Sequence, residues 1–467
     1  MISRLSAAFA AIALLVAAAP AFAYDPAPWI EDARQIRAAL GSRYANLEWL
    51  TVERGLNLDT SFKALEAGLA KTTSDAEARA LVDRALSSLA DGHVQMDWSP
   101  AAPAAKVSAP AALPCADQRP FRPRPPVAAG LPGWTSLGTG EGAREFPGGL
   151  VTVDGHKLGV VQINIFMADP AVCEAAAAKL KLPMDKPCGG DCEGKLDTAV
   201  YQELTDRFAA RLAAVKAAGA DVLMIDLAGN GGGREWAEIA ARMVTPIRLK
   251  SARVRLVRSP QAADNLDALA LDIEMNVKEE RGAAKAALLA EAKTLRDGAT
   301  EARKPCVEGR PCALLVDARY SSGVRASVDP ALAGKPWGQS VFQPLKWTWR
   351  EGVWTGPLIV LVDGKSASAS EEFAAMIQDN KAGILLGSPT LGAGCGHATE
   401  AGPVVLKNSG GRLSLPDCLR LRADGSNEIG GVEPDVLVGF RSTDGAAMKA
   451  RRLAPRLPEA VRRATGG

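Results

Sequence analysis

The sequence predicts an α/β protein: a core of alternating strands and helices, preceded by a helical unit and interrupted by a helical insertion. Three observations carry this. An apolar run at 358–362 ends in the small-residue turn Gly364-Lys365-Ser366-Ala367-Ser368-Ala369-Ser370-Glu371, and helical spacing follows through Phe373, Ala374 and Ile377. A second apolar run, 222–225, ends in Asp226-Leu227-Ala228-Gly229-Asn230-Gly231-Gly232-Gly233, with a helix expected from Arg234. Strands that alternate with helices in this way point to an α/β core, whereas residues 26–100 read as helix throughout.

Taken in order, residues 1–23 read as a secretory signal. Arg4 supplies the positive start, 7–19 the apolar stretch, and Ala21-Phe22-Ala23 the cleavage site before Tyr24. The mature chain is therefore expected in the periplasm or outside the cell; an uncleaved anchor is the alternative. No cysteine stands at the cleavage site, which argues against a lipid-anchored form. No later stretch reaches about 18 apolar residues, so no membrane span is expected after cleavage.

Residues 24–100 form a helical N-terminal domain. Ser74 and Glu77 resemble a capping box, and Leu81, Val82, Ala85, Leu86 and Leu89 repeat with helical spacing. Residues 101–147 are a Pro/Ala/Gly-rich linker or irregular extension, densest in proline at 120–126. The core runs from 148 to 445. Asp154-Gly155 is a hairpin turn between 150–153 and 158–166. A helix at 198–218 leads into the strand 222–225. Residues 261–304 are polar, alanine-rich and helix-periodic, and form the insertion. Strands follow at 313–316, 358–362 and 384–386. Residues 446–467 are a C-terminal helix or tail.

Composition bounds the function. The chain has 467 residues, 47% of them hydrophobic, enough for a large core and two or three structural units. A net charge of +2 supplies no basic footprint for nucleic acid. Eight cysteines in an exported protein read as disulfides. Cys188 with Cys192 and Cys306 with Cys312 suit local pairs. Cys115, Cys173, Cys395 and Cys418 then pair among themselves in one of three ways. Zinc at Cys188 and Cys192 would lack a nearby histidine, and no metal or cofactor is expected.

The two turns after buried strands suit chemistry. A serine at a helix start lies among unpaired N–H groups that favour negative charge, although serine is also an ordinary helix cap. The glycine loop lets backbone approach a ligand closely. It is not a dinucleotide loop, because Arg234 stands where the third glycine belongs. Nor does Gly364-Lys365-Ser366 end a Walker A motif, because Ile359 replaces its first glycine. A serine nucleophile needs a base, and the chain has three histidines: His93 in Asp91-Gly92-His93-Val94, His156 beside the hairpin turn, and His397 in a glycine-rich segment with Glu400 near it. His156 reads as a surface residue. Glu371 and Glu372 suit the dipole of the first helical turn without a catalytic role.

Together these segments resemble the serine peptidase family of carboxy-terminal processing proteases and the tricorn core. The family's D-L-R-x-N-x-G-G loop is matched by residues 226–233, and its S-A-S-A-S-E helix start by residues 366–371, with Ser368 as the middle serine. Its G-V-x-P-D segment is matched by residues 431–435, and the G-H motif of its tricorn-like branch by Gly92-His93. The resemblance covers about 75–100 and 150–440. It implies a ClpP/crotonase-like core and an exported, tail-specific protease-like serine endopeptidase acting on polypeptides. By motif, Ser368 is the nucleophile, His93 the base and Glu428 its orienting partner. The N–H groups of Ala369 and Gly232, with Gly231 next, form the oxyanion hole. His397 is the alternative base. The lysine of the family's Ser–Lys branch is excluded at its usual place, which holds Ala393; Lys365 and Lys381 are nearby, but neither matches the pattern. Ala228 replaces the usual arginine, and no PDZ-like segment is evident. The alternative reading is a non-catalytic binding protein on the same fold.

Overall fold

The computed structural model describes residues 24–99, 113–115, 120, 123–304, 314–332, 334–399 and 401–466. The expected leader 1–23, much of the proline-rich stretch and the expected Cys306–Cys312 pair lie outside the described residues.

The N-terminal unit contains α1 (Ala27–Arg43), α2 (Leu58–Leu69) and α3 (Asp75–Ser87). Their apolar faces, among them Ile36, Leu40, Phe62, Leu65, Val82 and Leu86, close on one another. Ser74 caps α3 by accepting the Glu77 N–H, but Glu77 reaches back to the N–H of Thr73, one residue beyond a capping box. Strand β1 (Gln95–Asp97) then leaves this unit.

The core starts with β2 (Thr135–Ser136), β3 (Gly148–Val153) and β4 (His156–Gln162). Asp154 and Gly155 both have positive φ, +54° and +83°, which a tight β3–β4 turn requires. There follow α4 (Pro170–Lys179), α5 (Asp191–Ala217), β5 (Val222–Asp226), α6 (Trp236–Met243) and β6 (Arg253–Val257). The insertion is a helical hairpin, α7 (Pro260–Asn276) and α8 (Gly282–Arg303), succeeded by β7 (Leu315–Tyr320) and α9 (Gly338–Val341). The second half of the core contributes β8 (Leu358–Val362), α10 (Ala369–Asp379) and β9 (Ile384–Gly387). Short strands β10 (Val404–Val405), β11 (Arg412–Ser414), β12 (Cys418–Leu421) and β13 (Val436–Leu437) precede α11 (Ala446–Leu453) and α12 (Leu457–Thr465).

The main sheet has the order β13-β9-β8-β5-β4-β3-β2, parallel from β13 to β4 and antiparallel beyond. Every residue of β5 and β8 is buried, as central parallel strands covered on both faces must be. On one face α5, α6 and α10 bring Phe208, Trp236 and Phe373. On the other, α11 and α12 bring Leu453, Leu457 and Val461. Because β5 and β8 are parallel neighbours, the glycine loop after one and the serine turn after the other emerge side by side, where open α/β sheets bind ligands.

Two smaller sheets complete the site. In β12-β6-β7 the strands are antiparallel and pack on the α7–α8 hairpin. In β1-β11-β10, β1 pairs with β11 and ties the N-terminal unit to the core. The helix expected from Arg234 starts at Trp236 instead: Gly233 is held in a bridge with Phe166, the Arg234 N–H bonds the Phe166 carbonyl, and the chain bends and turns at 234–235 before the helix begins. Disulfides join Cys115–Cys173, Cys188–Cys192 and Cys395–Cys418. Among the described residues no helix is long and apolar enough to cross a membrane.

Candidate active site

Ser368 sits where β8 turns into α10, at φ +55° and ψ −115°. A side chain at positive φ is strained, and the surroundings must hold it there. They do so at several points. Ser366 Oγ donates to the Leu227 carbonyl and Ser370 Oγ to the Asn230 carbonyl, at 2.8 and 2.9 Å, so both serines clamp the serine turn to the glycine loop. Asp363 Oδ1 accepts the N–H groups of Gly229 and Lys365. Glu371, fully buried, accepts the Ser368 N–H at 2.8 Å. This geometry presents a half-buried hydroxyl on a sharp strand-to-helix turn.

Gly232 passes so close to this turn that an added Cβ would lie 2.8 Å from Ser368 Cβ and 2.7 Å from the Ala367 carbonyl oxygen. The motif put its N–H in the oxyanion hole, but that N–H bonds Asn230 Oδ1 at 2.9 Å. Asn230 is fully buried and satisfies its own amide on the Ile163 carbonyl, which aims its oxygen at Gly232. The next residue, Gly233, lines the cavity in front of Ser368. Among the described residues, the N–H groups of Gly233 and Ala369 have no acceptor. Gly231 does not line that cavity.

His93 comes from the N-terminal unit. Asp91 holds it: Oδ1 accepts the His93 N–H at 2.9 Å, while Oδ2 takes Tyr44 Oη and Asn46 Nδ2, both at 2.9 Å. Burial, with the charge of Asp91, drives the Tyr44 phenol well above its usual range. The imidazole Nδ1 faces the Ala393 carbonyl at 2.8 Å. A carbonyl only accepts, so in the neutral ring Nδ1 carries the proton and Nε2 keeps its lone pair. The ring lies against Gly396, where an added Cβ would be 2.9 Å from Nε2. His397 meets it edge-on with centroids 5.9 Å apart, and burial pulls its pKa below the usual value. His156 lies elsewhere, on Asp221 at 3.1 Å.

Glu428 does not meet the imidazole. Its buried carboxylate is held by Arg420, whose Nε lies 3.0 Å from both oxygens. Nδ1 of His93 is already engaged by Ala393, and a dry carboxylate is satisfied best by a two-pronged guanidinium. Arg420 also donates Nη2 to the carbonyls of Gly394 at 3.1 Å and Ser368 at 3.4 Å, and approaches Glu372 at 3.3 Å. Burial, reinforced by Glu238 and Glu428 and opposed by Arg420, pushes the Glu372 carboxyl up to about 8.

His93, His397, Gly233, Ser368 and Ala369 line one cavity of about 410 Å³, without a direct hydrogen bond between Ser368 and His93. It adjoins a second cavity of about 370 Å³ through Arg234, Glu235, Ser321 and Gln343. The Cys395–Cys418 disulfide staples the glycine turn under His93 to β12, which carries Arg420. A strained serine, an imidazole with a free Nε2 and two unused N–H groups make a set suited to acyl transfer. Among the described residues no group of three or more His, Cys, Asp or Glu is arranged to hold a metal.

Three contributors escape sequence reasoning. Glu371 was legible only as an acid in a first helical turn, and Asp91 only as a neighbour of His93. Arg420 carries no sequence signal at all.

Comparison with known proteins gives a consistent result. The model of peptidase family S41 matches residues 193–438. The crystal structure of mature CPAF superposes with a TM-score of 0.58 at 14% identity, covering 94% of this chain and 98% of that one. Mature CPAF complexed with lactacystin gives 0.55 at 14% identity, covering 94% and 99%. A putative peptidase from Parabacteroides merdae gives 0.46 at 13%, covering 94% and 96%. At these identities the likeness to CPAF is one of fold.

Proposed function

The chain belongs to peptidase family S41 and is a serine-type peptidase, and on that premise we propose that it cleaves polypeptides through an acyl-enzyme on Ser368, with His93 as general base. The observation that carries this reading is the strained Ser368 at the head of α10, opening on the same cavity as an imidazole whose Nδ1 proton is committed to Ala393.

In the reaction, Ser368 Oγ attacks the peptide carbonyl and its proton passes to His93 Nε2. The imidazolium then gives that proton to the leaving amine, and water repeats the sequence to free the acid. The oxyanion is received by the N–H groups of Ala369 and Gly233, with Gly232 supporting the loop. One such donor is worth ~10²–10³ in turnover. Glu428 acts through Arg420, which donates to the carbonyls of Ser368 and Gly394. His397 borders the same cavity and is the competing base. Three disulfides fit export to the periplasm or beyond, which the leader-like residues 1–23 would direct.

A serine-directed fluorophosphonate tests the reading. Labelling mapped to Ser368, absent in Ser368→Ala, with casein hydrolysis lost in the same variant, is the expected result. An unlabelled Ser368 together with intact casein hydrolysis would overturn it, and an inert protein would favour the binding-protein reading.

A further inference from the structure

Resting on the reading of Ser368 and His93 as a peptidase site, we propose that Arg319 selects substrates by binding a carboxylate of the peptide in the cavity beside them. Arg319 stands near the end of β7 and lines the cavity that contains Ser368, His93 and His397. The only hydrogen bond of its side chain among the described residues is a long one, Nη2 to the Ala398 carbonyl at 3.4 Å, and its Nε is buried without a partner.

The other arginines of the cavity are occupied. Arg420 is bound by Glu428. Arg234 lies 3.5 Å from Asp197 and stacks over Tyr201. Arg319 has no carboxylate at ion-pair distance among the described residues. Asp417, an acid whose field it feels, already accepts Ala398 N–H at 2.7 Å, Thr399 N–H at 3.0 Å and the Thr399 hydroxyl. Glu235, the other, is exposed and makes no ion pair among the described residues.

Burial draws the Arg319 guanidinium below its usual pKa. A partly buried cation with no carboxylate in ion-pair contact among the described residues is poorly compensated, and an arriving anion relieves that. The planar fork suits a carboxylate, which it can hold by two parallel hydrogen bonds. Contact with Ala398, which follows His397, puts the anion site on the histidine side of the cavity. An Asp or Glu side chain and a C-terminal carboxylate both offer this chemistry.

The test measures binding to the Ser368→Ala variant, so that no turnover is needed. The probes are fluorescent eight-residue peptides with Glu or Gln at each internal position in turn, each with a free or an amidated C-terminus. At least one acid-for-amide change is expected to weaken binding ~10–100-fold, the range of a charge-assisted contact. That difference should vanish with Arg319→Gln and partly return with Arg319→Lys, circular dichroism verifying that both fold. Sensitivity to Glu→Gln assigns a side chain, and sensitivity to amidation assigns the C-terminus. Equal binding of acids and amides, no binding of any peptide, or a preference that survives Arg319→Gln overturns the proposal. Casein hydrolysis by the wild type is read separately. Hydrolysis without acid selectivity removes only the role of Arg319, whereas acid-selective binding without hydrolysis removes only the peptidase reading.

Discussion

Glu371 connects Ser368 to His93. Its Oε2 accepts the N–H of Ser368 at 2.8 Å and that of Ala393 at 2.9 Å, and the carbonyl of the same Ala393 holds His93 Nδ1 at 2.8 Å. Its Oε1 takes Thr390 Oγ1 at 2.7 Å and Gly392 N–H at 2.6 Å. One buried carboxylate therefore spans the serine turn and the glycine turn that supports the imidazole.

Glu371→Gln should disturb both halves at once. The amide nitrogen would face donors, leaving buried N–H groups unpaired, so a loss of roughly 2–4 kcal/mol is expected in urea denaturation. The rate of fluorophosphonate labelling at Ser368 should fall as well. Wild-type stability and labelling in this variant would remove the coupling.

The two histidines separate by substitution. His93→Ala is expected to lower kcat by ~10²–10⁴, the range for a lost general base, with KM little changed. His397→Ala should lower it less than about tenfold, since its ring borders the cavity beside the base rather than acting as it. Steady-state kinetics on one peptide decides between them; the reverse order would make His397 the base.

Gly396→Ala probes the bed of the imidazole. The added methyl would meet Nε2 at 2.9 Å and Cδ2 at 3.0 Å, at a residue with φ +77°. Displacement of the ring should reduce kcat toward the level of His93→Ala while far-UV circular dichroism stays unchanged. Full activity in Gly396→Ala would show that the ring does not need this position.

The buried Glu372 predicts a pH effect on stability. Its carboxyl stays protonated in the fold up to about 8, whereas the ordinary value is 4.5. Across that window the unfolded chain binds fewer protons than the folded one, so stability contributed by this group is present at low pH and is lost as pH rises toward 8. Glu372→Gln is neutral throughout. Its melting temperature relative to wild type should climb between pH 5 and pH 8; a constant difference would contradict the assignment.

What the sequence determined by itself is local. The Asp154-Gly155 turn, the apolar runs that became β5 and β8, and the serine at the head of α10 follow from neighbouring residues, since turn dihedrals, strand burial and helix starts are set over a few positions. The glycine loop was legible because Gly232 leaves no room for a Cβ against Ser368. Tertiary structure decided what those groups bind. His93 Nδ1 meets a carbonyl 300 residues away, a contact made through the pairing of β1 with β11. Glu428 lies on Arg420 rather than on the imidazole, because burial forces a carboxylate to the nearest guanidinium. Asn230 takes the Gly232 N–H and leaves Gly233 facing the cavity. The partners of Cys115, Cys173, Cys395 and Cys418 were open among three arrangements until the fold brought two pairs within bonding reach. Hydrogen bonds and ion pairs between distant segments depend on how whole elements pack, and that information resides in no single stretch of chain.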